Sequence, residues 1–295
     1  MMGEKMKVIK RNRFSAFLLI LGILLFIYAI SLIVPFLWAL TASFKDRIDF
    51  AINPFGLPET WHFENYSLIF SMFNVPILQN TASVGFFGLV GNSVIYAVGC
   101  AFFATVTPCF TAYAVAKFNY KFSKILYGIV IFTMILPIVG STPSSITVLR
   151  NMGLYDTFAG VFLLKTHFLG TYFLVFHTAF KGIPKDFFDA ARVDGAGNFT
   201  ILIRIVLPLI RNLFFTIMLL YFVQFWNDFN TPLIYMPNHP TLALGIFTMD
   251  NLNSNEFHVP LRLASCMLAL LPVLILFLLF HNKLMGQINM GGLKE

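Results

Sequence analysis

Charged side chains are rare in this chain, and one group of them, Asp186, Asp189, Arg192 and Asp194, shares one short segment with Ala190, Ala191, Gly195 and Ala196. Clustered acids can serve acid/base or metal chemistry. The chain holds no metal-ligand cluster and no nucleophile–base constellation, so a membrane enzyme would lack its convergent set. A charged, turn-bearing segment between long apolar runs instead suits docking of a soluble protein at a membrane face. A second group is polar where polarity is costly: Lys165, His167, Gln224, Asn227 and Asp228 interrupt apolar stretches, which makes them candidates for lining a passage. Asp228 is the only acid inside any span and Lys165 the only base well inside one; an ion pair between them would offset the desolvation of both. Lys165 could equally snorkel or lie in an exposed re-entrant segment.

The docking segment reads as a bent helix–turn–helix. Pro184 suits a first helical turn, where its missing N–H costs nothing. Asp186 and Asp189 fall early in the helix, where the dipole favours negative charge. Phe187, Ala190 and Ala191 recur at i, i+3 and i+4, forming a narrow apolar face that another surface can approach closely. Gly195 is the expected stop and Gly197 loosens the turn. Asn198 is the expected cap of the helix that continues through Pro208 into the next span. From these residues alone, an amphipathic interfacial connector is an equal reading.

The elements that must position these groups follow from composition. The 295 residues are 58% hydrophobic and 11% charged, with mean hydropathy +0.79. A soluble domain carries about 25% charged residues. Runs of 18 or more nearly uncharged residues predict an all-α, polytopic membrane protein, and the ten-residue alternation of a membrane β-barrel is absent. Six transmembrane helices are expected at about 14–43, 86–116, 123–149, 157–181, 203–235 and 259–282, forming one domain over 1–295. The basic stretch Lys5–Arg13 precedes an apolar run too long for a signal peptide, so the first helix is expected to stay uncleaved. Fifteen of the twenty basic residues then fall on the N-terminal side, among them Lys117, Lys124, Lys181, Lys185, Arg204 and Arg211, which predicts an N-in, C-in topology. The loop 183–208 is thus cytoplasmic, and 45–85 and 236–258 are extracytoplasmic. The first outer loop is expected to be partly helical and interfacial. The second is polar, holding His239, Asp250, Asn251, Asn253, Asn255, Glu256 and His258, and reads as a solvated loop or a contact surface.

Net charge of +7 marks topology here and not nucleic-acid binding. Cys100, Cys109 and Cys266 have no metal-ligand spacing and read as small buried hydrophobes. Prolines 35, 108, 137, 143, 208 and 232 are expected to bend the spans. No internal repeat supports an inverted-repeat secondary transporter.

Asp189-Ala190-Ala191, with Gly195 four positions after Ala191 and Ile205-Val206-Leu207-Pro208 beyond, resembles the EAA loop of ABC importer permeases. The resemblance covers nearly the whole chain and points to the carbohydrate-uptake group, similar to the second permease subunit of maltose-type transporters. Its landmarks are Pro35-Phe36-Leu37-Trp38 with Ser43-Phe44-Lys45, then Glu64-Asn65-Tyr66 and Asn92-Ser93. Phe225-Trp226-Asn227-Asp228-Phe229 with Pro232-Leu233-Ile234, and Thr241-Leu242-Ala243-Leu244-Gly245, complete the set. Asp189 stands where that family usually has glutamate, so its pairing with a basic residue of the ATPase would be longer or water-bridged. Arg211-Asn212 replaces a proline often found after the Leu-Pro pair.

The resemblance implies a type I ABC importer permease in the plasma membrane of a bacterium or archaeon. It implies a second homologous permease, two ATPase subunits, an extracytoplasmic substrate-binding protein and a sugar or oligosaccharide as solute. The docking residues would be Asp186, Asp189, Ala190, Ala191, Arg192, Asp194, Gly195 and Ala196. Contact with the binding protein would involve Leu244, Asp250, Asn251 and Asn253. ATP and Mg would sit on the ATPases, since no Gly-Lys pair, and hence no P-loop, exists in this chain. An importer for another solute, such as an amino acid or peptide, and an ion-coupled transporter remain the alternatives.

Overall fold

Apolar runs become helices because a backbone out of reach of water must satisfy its own hydrogen bonds. The computed structural model describes residues 16–77, 83–117, 121–135, 140–166, 168, 170–252 and 256–285. His167, Asn253, the basic stretch Lys5–Arg13 and the tail beyond 285 lie outside the described residues. In chain order the elements are α1 (Ala16–Ala42), α2 (Arg47–Ile52), α3 (Glu64–Met72), β1 (Asn74–Pro76), β2 (Ser83–Gly85), α4 (Phe86–Lys117) and α5 (Lys121–Ile135). Then follow α6 (Thr142–Asn151), α7 (Phe158–Leu164), α8 (Thr171–Gly182), α9 (Asp186–Val193) and α10 (Asn198–Ile201). A π-turn (Leu202–Val206), α11 (Leu207–Trp226), α12 (Asn230–Tyr235), α13 (Leu242–Leu252) and α14 (Val259–Met285) complete the chain. β1 and β2 form a small antiparallel hairpin with Val75 opposite Val84.

Among the described residues four stretches are long and apolar enough to cross a membrane: Phe17–Ala42, Phe86–Lys117, Asn198–Trp226 and Val259–Phe280. The other expected spans are broken, for local reasons. The third splits into α5 and α6, with Gly140 at φ 83° and Pro143 in the first turn of α6. The fourth splits into α7 and α8, with Gly170 at φ 144° immediately before α8. The fifth stops at Trp226, and a new helix starts at Asn230, where the Asp228 carboxylate accepts from the Thr231 N–H at 3.0 Å. That bond satisfies an amide that no preceding helical carbonyl reaches. Below, Pro208 cannot donate into the α-ladder, and the Leu207 N–H bonds to Leu202 O, one residue further back than an α-helix allows.

The long helix α4 is central, packing α8 against one part of its surface and α11 against another. Small residues make that closeness possible: Ala97, Cys100, Ala101, Ala104 and Ala112 are fully buried. Two cores result. One gathers Ile69, Phe73, Leu89, Phe225, Trp226 and Phe257 around the first half of α4. The other gathers Phe173, Phe176, Phe180, Phe188, Ile201 and Val206 around its second half. In contrast, α1 is exposed from Phe17 to Leu37 and packs only near its C-terminal end, against α14.

Two expectations need correction. Segment 236–258 contains α13, whose Leu242, Leu244 and Met249 are buried; apolar side chains at helical spacing hide behind the polar residues that dominate the composition. Cys266 is exposed on α14, unlike Cys100 and Cys109.

Candidate functional site

The docking segment is built from its turn. After α9 the Asp194 N–H bonds to Ala190 O (3.1 Å) and the Gly195 N–H to Arg192 O (3.0 Å). The Ala196 N–H reaches back to Ala191 O at 2.9 Å. That last bond requires a left-handed residue between, and Gly195 has φ 79°. Gly197 is extended at φ −72° and itself caps α10; Asn198, expected as the cap, is the first helical residue. Pro184 precedes α9 by two residues and does not sit in its first turn.

The expected apolar face also divides. Phe188 and Ala191 are buried in the second core, while Phe187 and Ala190 point out. Asp186, Phe187, Ala190, Ala191, Asp194 and Ala196 border an open groove of about 820 Å³ that runs on to Arg204. Lys117, at the end of α4, donates to Ile183 O at 3.1 Å and lies 4.2 Å from the centre of the Phe188 ring. These contacts join α9 firmly to the central helix. Arg192 and Asp189 sit 3.8 Å apart but are more than half exposed, so their pairing adds little stability and leaves both available to a partner.

The intramembrane polar residues separate into two kinds. Gln224 and Asn227 are exposed on α11 and at its end. Lys165 and Asp228 meet at 3.4 Å, each side chain about one-fifth exposed. Lys165 Nζ also donates to Thr231 Oγ1 at 2.9 Å. The Tyr96 and Thr231 hydroxyls donate to Asp228 Oδ2 at 2.8 and 2.6 Å. Tyr96 and Thr231 were not singled out from sequence. The signals existed: a phenol within an apolar span, and a threonine three residues after an aspartate. Among the described residues no set of three His, Cys, Asp or Glu could hold a metal.

Several landmark motifs prove to be fasteners. Asn65 Nδ2 donates to Ser43 O (2.9 Å) and Lys45 O (2.8 Å), while Ser43 and Tyr66 share a hydroxyl bond of 2.8 Å. The three motif residues therefore close the C-terminal end of α1 onto α3. Replacing Asn65 with leucine leaves two carbonyls without their donor and should destabilise the protein by about 2–4 kcal/mol, read as thermal unfolding in detergent. A melting curve unchanged from the parent would contradict that role. Likewise Asn92 donates to Pro240 O (2.9 Å) and Ser93 Oγ accepts from the Leu242 N–H (2.7 Å), pinning the start of α13 to α4. Of the outer candidates, Asp250 and Asn251 are exposed, and Asp250 pairs with Arg262 at 2.5 Å. Leu244 is 3% exposed and packs inside, so it cannot present itself to a partner.

Residues 104–285 match the family model described as "Binding-protein-dependent transport system inner membrane component". The chain is 26% identical over 271 residues to the diacetylchitobiose uptake system permease protein NgcG of Streptomyces coelicolor, covering 91% of this chain and 86% of that one. It is 26% identical over 277 residues to the melibiose/raffinose/stachyose import permease protein MelC of Bacillus subtilis, covering 93% and 96%. A chain in the crystal structure of a bacterial ABC transporter involved in alginate import has the same fold, with TM-score 0.74, 21% identity and coverage of 92% and 98%. The family model covers more than half of the chain, so the chain belongs to the binding-protein-dependent transport system inner membrane components, the permease subunits of ABC transporters.

Proposed function

We propose that this chain is one of two transmembrane subunits of an ABC importer for a sugar or oligosaccharide. In this reading six membrane crossings, three of them interrupted, run with both termini in the cytoplasm. The segment 183–208 enters a cleft on an ATPase subunit through Asp186, Asp189, Ala190, Arg192 and Asp194. ATP and Mg are bound and used by that partner; this chain supplies no hydrolytic group. The exposed length of α1 leaves room for a second, homologous permease. Gln224 and Asn227 face the passage, and Asp250 and Asn251 face the extracytoplasmic binding protein.

The observation that carries the reading is the docking turn itself. Gly195 ends a short, acid-led helix whose outer side is bare and whose inner side is locked to α4. Support for a carbohydrate comes from relatives whose names specify diacetylchitobiose and melibiose, raffinose or stachyose. The test is purification of the chain from its native membrane. An ATPase should come with it, and the reconstituted assembly with its binding protein should take up an oligosaccharide only with ATP. Uptake that survives ATP depletion would indicate an ion-coupled carrier. A binding protein melted upward by amino acids or peptides, and not by any of a panel of sugars, would move the solute class.

A further inference from the structure

An interrupted helix is compliant, because the missing i→i−4 bonds let the backbone bend where it breaks. The docking segment stands between two such helices. α8 leads into it from a break that separates α8 from α7, and α11 leads out of it to the interruption at Asn227–Phe229. A push on α9 would be absorbed at these two breaks unless something ties them. At their level Lys165, Asp228, Thr231 and Tyr96 converge, and each comes from a different piece. Tyr96 is on central α4, Lys165 ends α7, Asp228 lies in the α11–α12 break and Thr231 is in the first turn of α12.

We infer that this node is a mechanical latch: it fastens both helix breaks to α4, so that movement of the docking segment reaches the outer half of the bundle as motion of one body. The inference rests on the importer reading above. Bond counting favours fastening over solute binding. Asp228 Oδ1 accepts the Thr231 N–H, and Oδ2 accepts the Thr231 hydroxyl, the Tyr96 hydroxyl and Lys165 Nζ. Three donors crowd Oδ2, so a sugar hydroxyl would find room only at Oδ1, beside the Thr231 N–H. Tyr96 is fully buried, and Lys165 Nζ lies 5.2 Å from the centre of the Phe225 ring, so protein covers most of the pair. Charges removed from water persist where such additional bonds hold them. Seven residues from the pair on either side, the Tyr172 ring of α8 and the Tyr221 ring of α11 meet at 4.8 Å.

The test places spin labels at Leu163→Cys on α7 and Leu233→Cys on α12, both exposed, in the assembled transporter with native cysteines replaced. The parent should give one narrow distance, the same without nucleotide and after trapping with ATP and vanadate. Lys165→Met combined with Asp228→Asn leaves no unpaired charge, so folding is spared. It should broaden the distribution by about 5 Å, the rise of one helical turn. Lys165→Arg alone, which keeps a cation opposite the Asp228 carboxylate, should stay narrow. Overturning results are a neutral double variant as narrow as the parent, or a parent distance that shifts on trapping. A parent complex that traps no vanadate would refute the importer reading instead, while the nucleotide-free comparison still judges the latch.

Discussion

Gly195→Val should abolish most ATP-driven uptake while leaving the chain inserted in the membrane at normal abundance. Nothing lies within 4 Å of a side chain added at Gly195, so the effect is not steric crowding by neighbours. It comes from the backbone: φ 79° is a region that β-branched residues avoid at a cost of about 1–3 kcal/mol. Relief of that strain breaks the Ala196 N–H to Ala191 O bond, and with it the fixed angle between α9 and α10. A lever with a loose joint still folds but transmits little, so uptake per ATP hydrolysed should fall about tenfold or more, since 1.4 kcal/mol is already a factor of ten. Gly197 is the internal control. Its backbone is extended and its surroundings are open, so Gly197→Ala should behave as the parent. Equal effects at both glycines would mean that the turn conformation is not what matters.

The second large effect is expected at Gly160, in the first turn of α7. An added Cβ would stand 2.1 Å from Leu154 O and 3.0 Å from its carbonyl carbon. The obstacle is backbone and cannot rotate away, unlike the Leu89 side chain that faces Gly245. Leu154 O is also held by the Thr157 hydroxyl at 2.7 Å, and the same hydroxyl accepts the Gly160 N–H at 3.1 Å. The neighbouring residue, Asp156, is fixed in turn: its carboxylate takes bonds from Asn238, and its N–H reaches Tyr235 O. Gly160→Ala must therefore either move α7 or tear this turn, at a cost of about 3 kcal/mol or more. The assembled complex should melt several degrees lower, with Lys165 carried away from Asp228 at the far end of the same short helix. Gly182→Ala, with nothing within 4 Å, should leave melting unchanged. A Gly160→Ala complex as stable as the parent would contradict the packing described for α7.

Much of this architecture is legible in the amino-acid order, and the gaps have physical causes. Long apolar runs mark α1, α4, α11 and α14 because hydropathy records what the bilayer demands. The docking turn is legible because only glycine tolerates its backbone angle cheaply, and Gly195 stands where a helix with acids at its start must end. The breaks within the third, fourth and fifth of the expected spans are not legible in hydropathy, since both sides of each break stay apolar. Gly140, Gly170 and Asp228 mark them only once their angles or bonds are known. The landmark strings around Asn65 and Ser93 could be seen, but not their partners. Asn65 works on a carbonyl 22 positions away, and Ser93 on an amide 149 positions away. Burial of Leu244 was hidden by composition, because the polar residues of 236–258 outweigh the apolar stripe of α13. The Lys165–Asp228 pair was legible as a possibility, for Asp228 is the only acid inside an expected span and Lys165 the only base well inside one. Tyr96 and Thr231, which complete the node, were legible only as residue types.

The most direct test of the account is the side of the membrane on which α9 lies. Val193 is 88% exposed at the end of that helix and can carry a single cysteine, Val193→Cys, in a chain whose native cysteines are replaced. With a membrane-impermeant maleimide, intact cells should leave it unmodified and permeabilised cells should label it fully, with protection returning when the ATPase is bound. Labelling in intact cells would put the docking helix outside and contradict the mechanism from its first step.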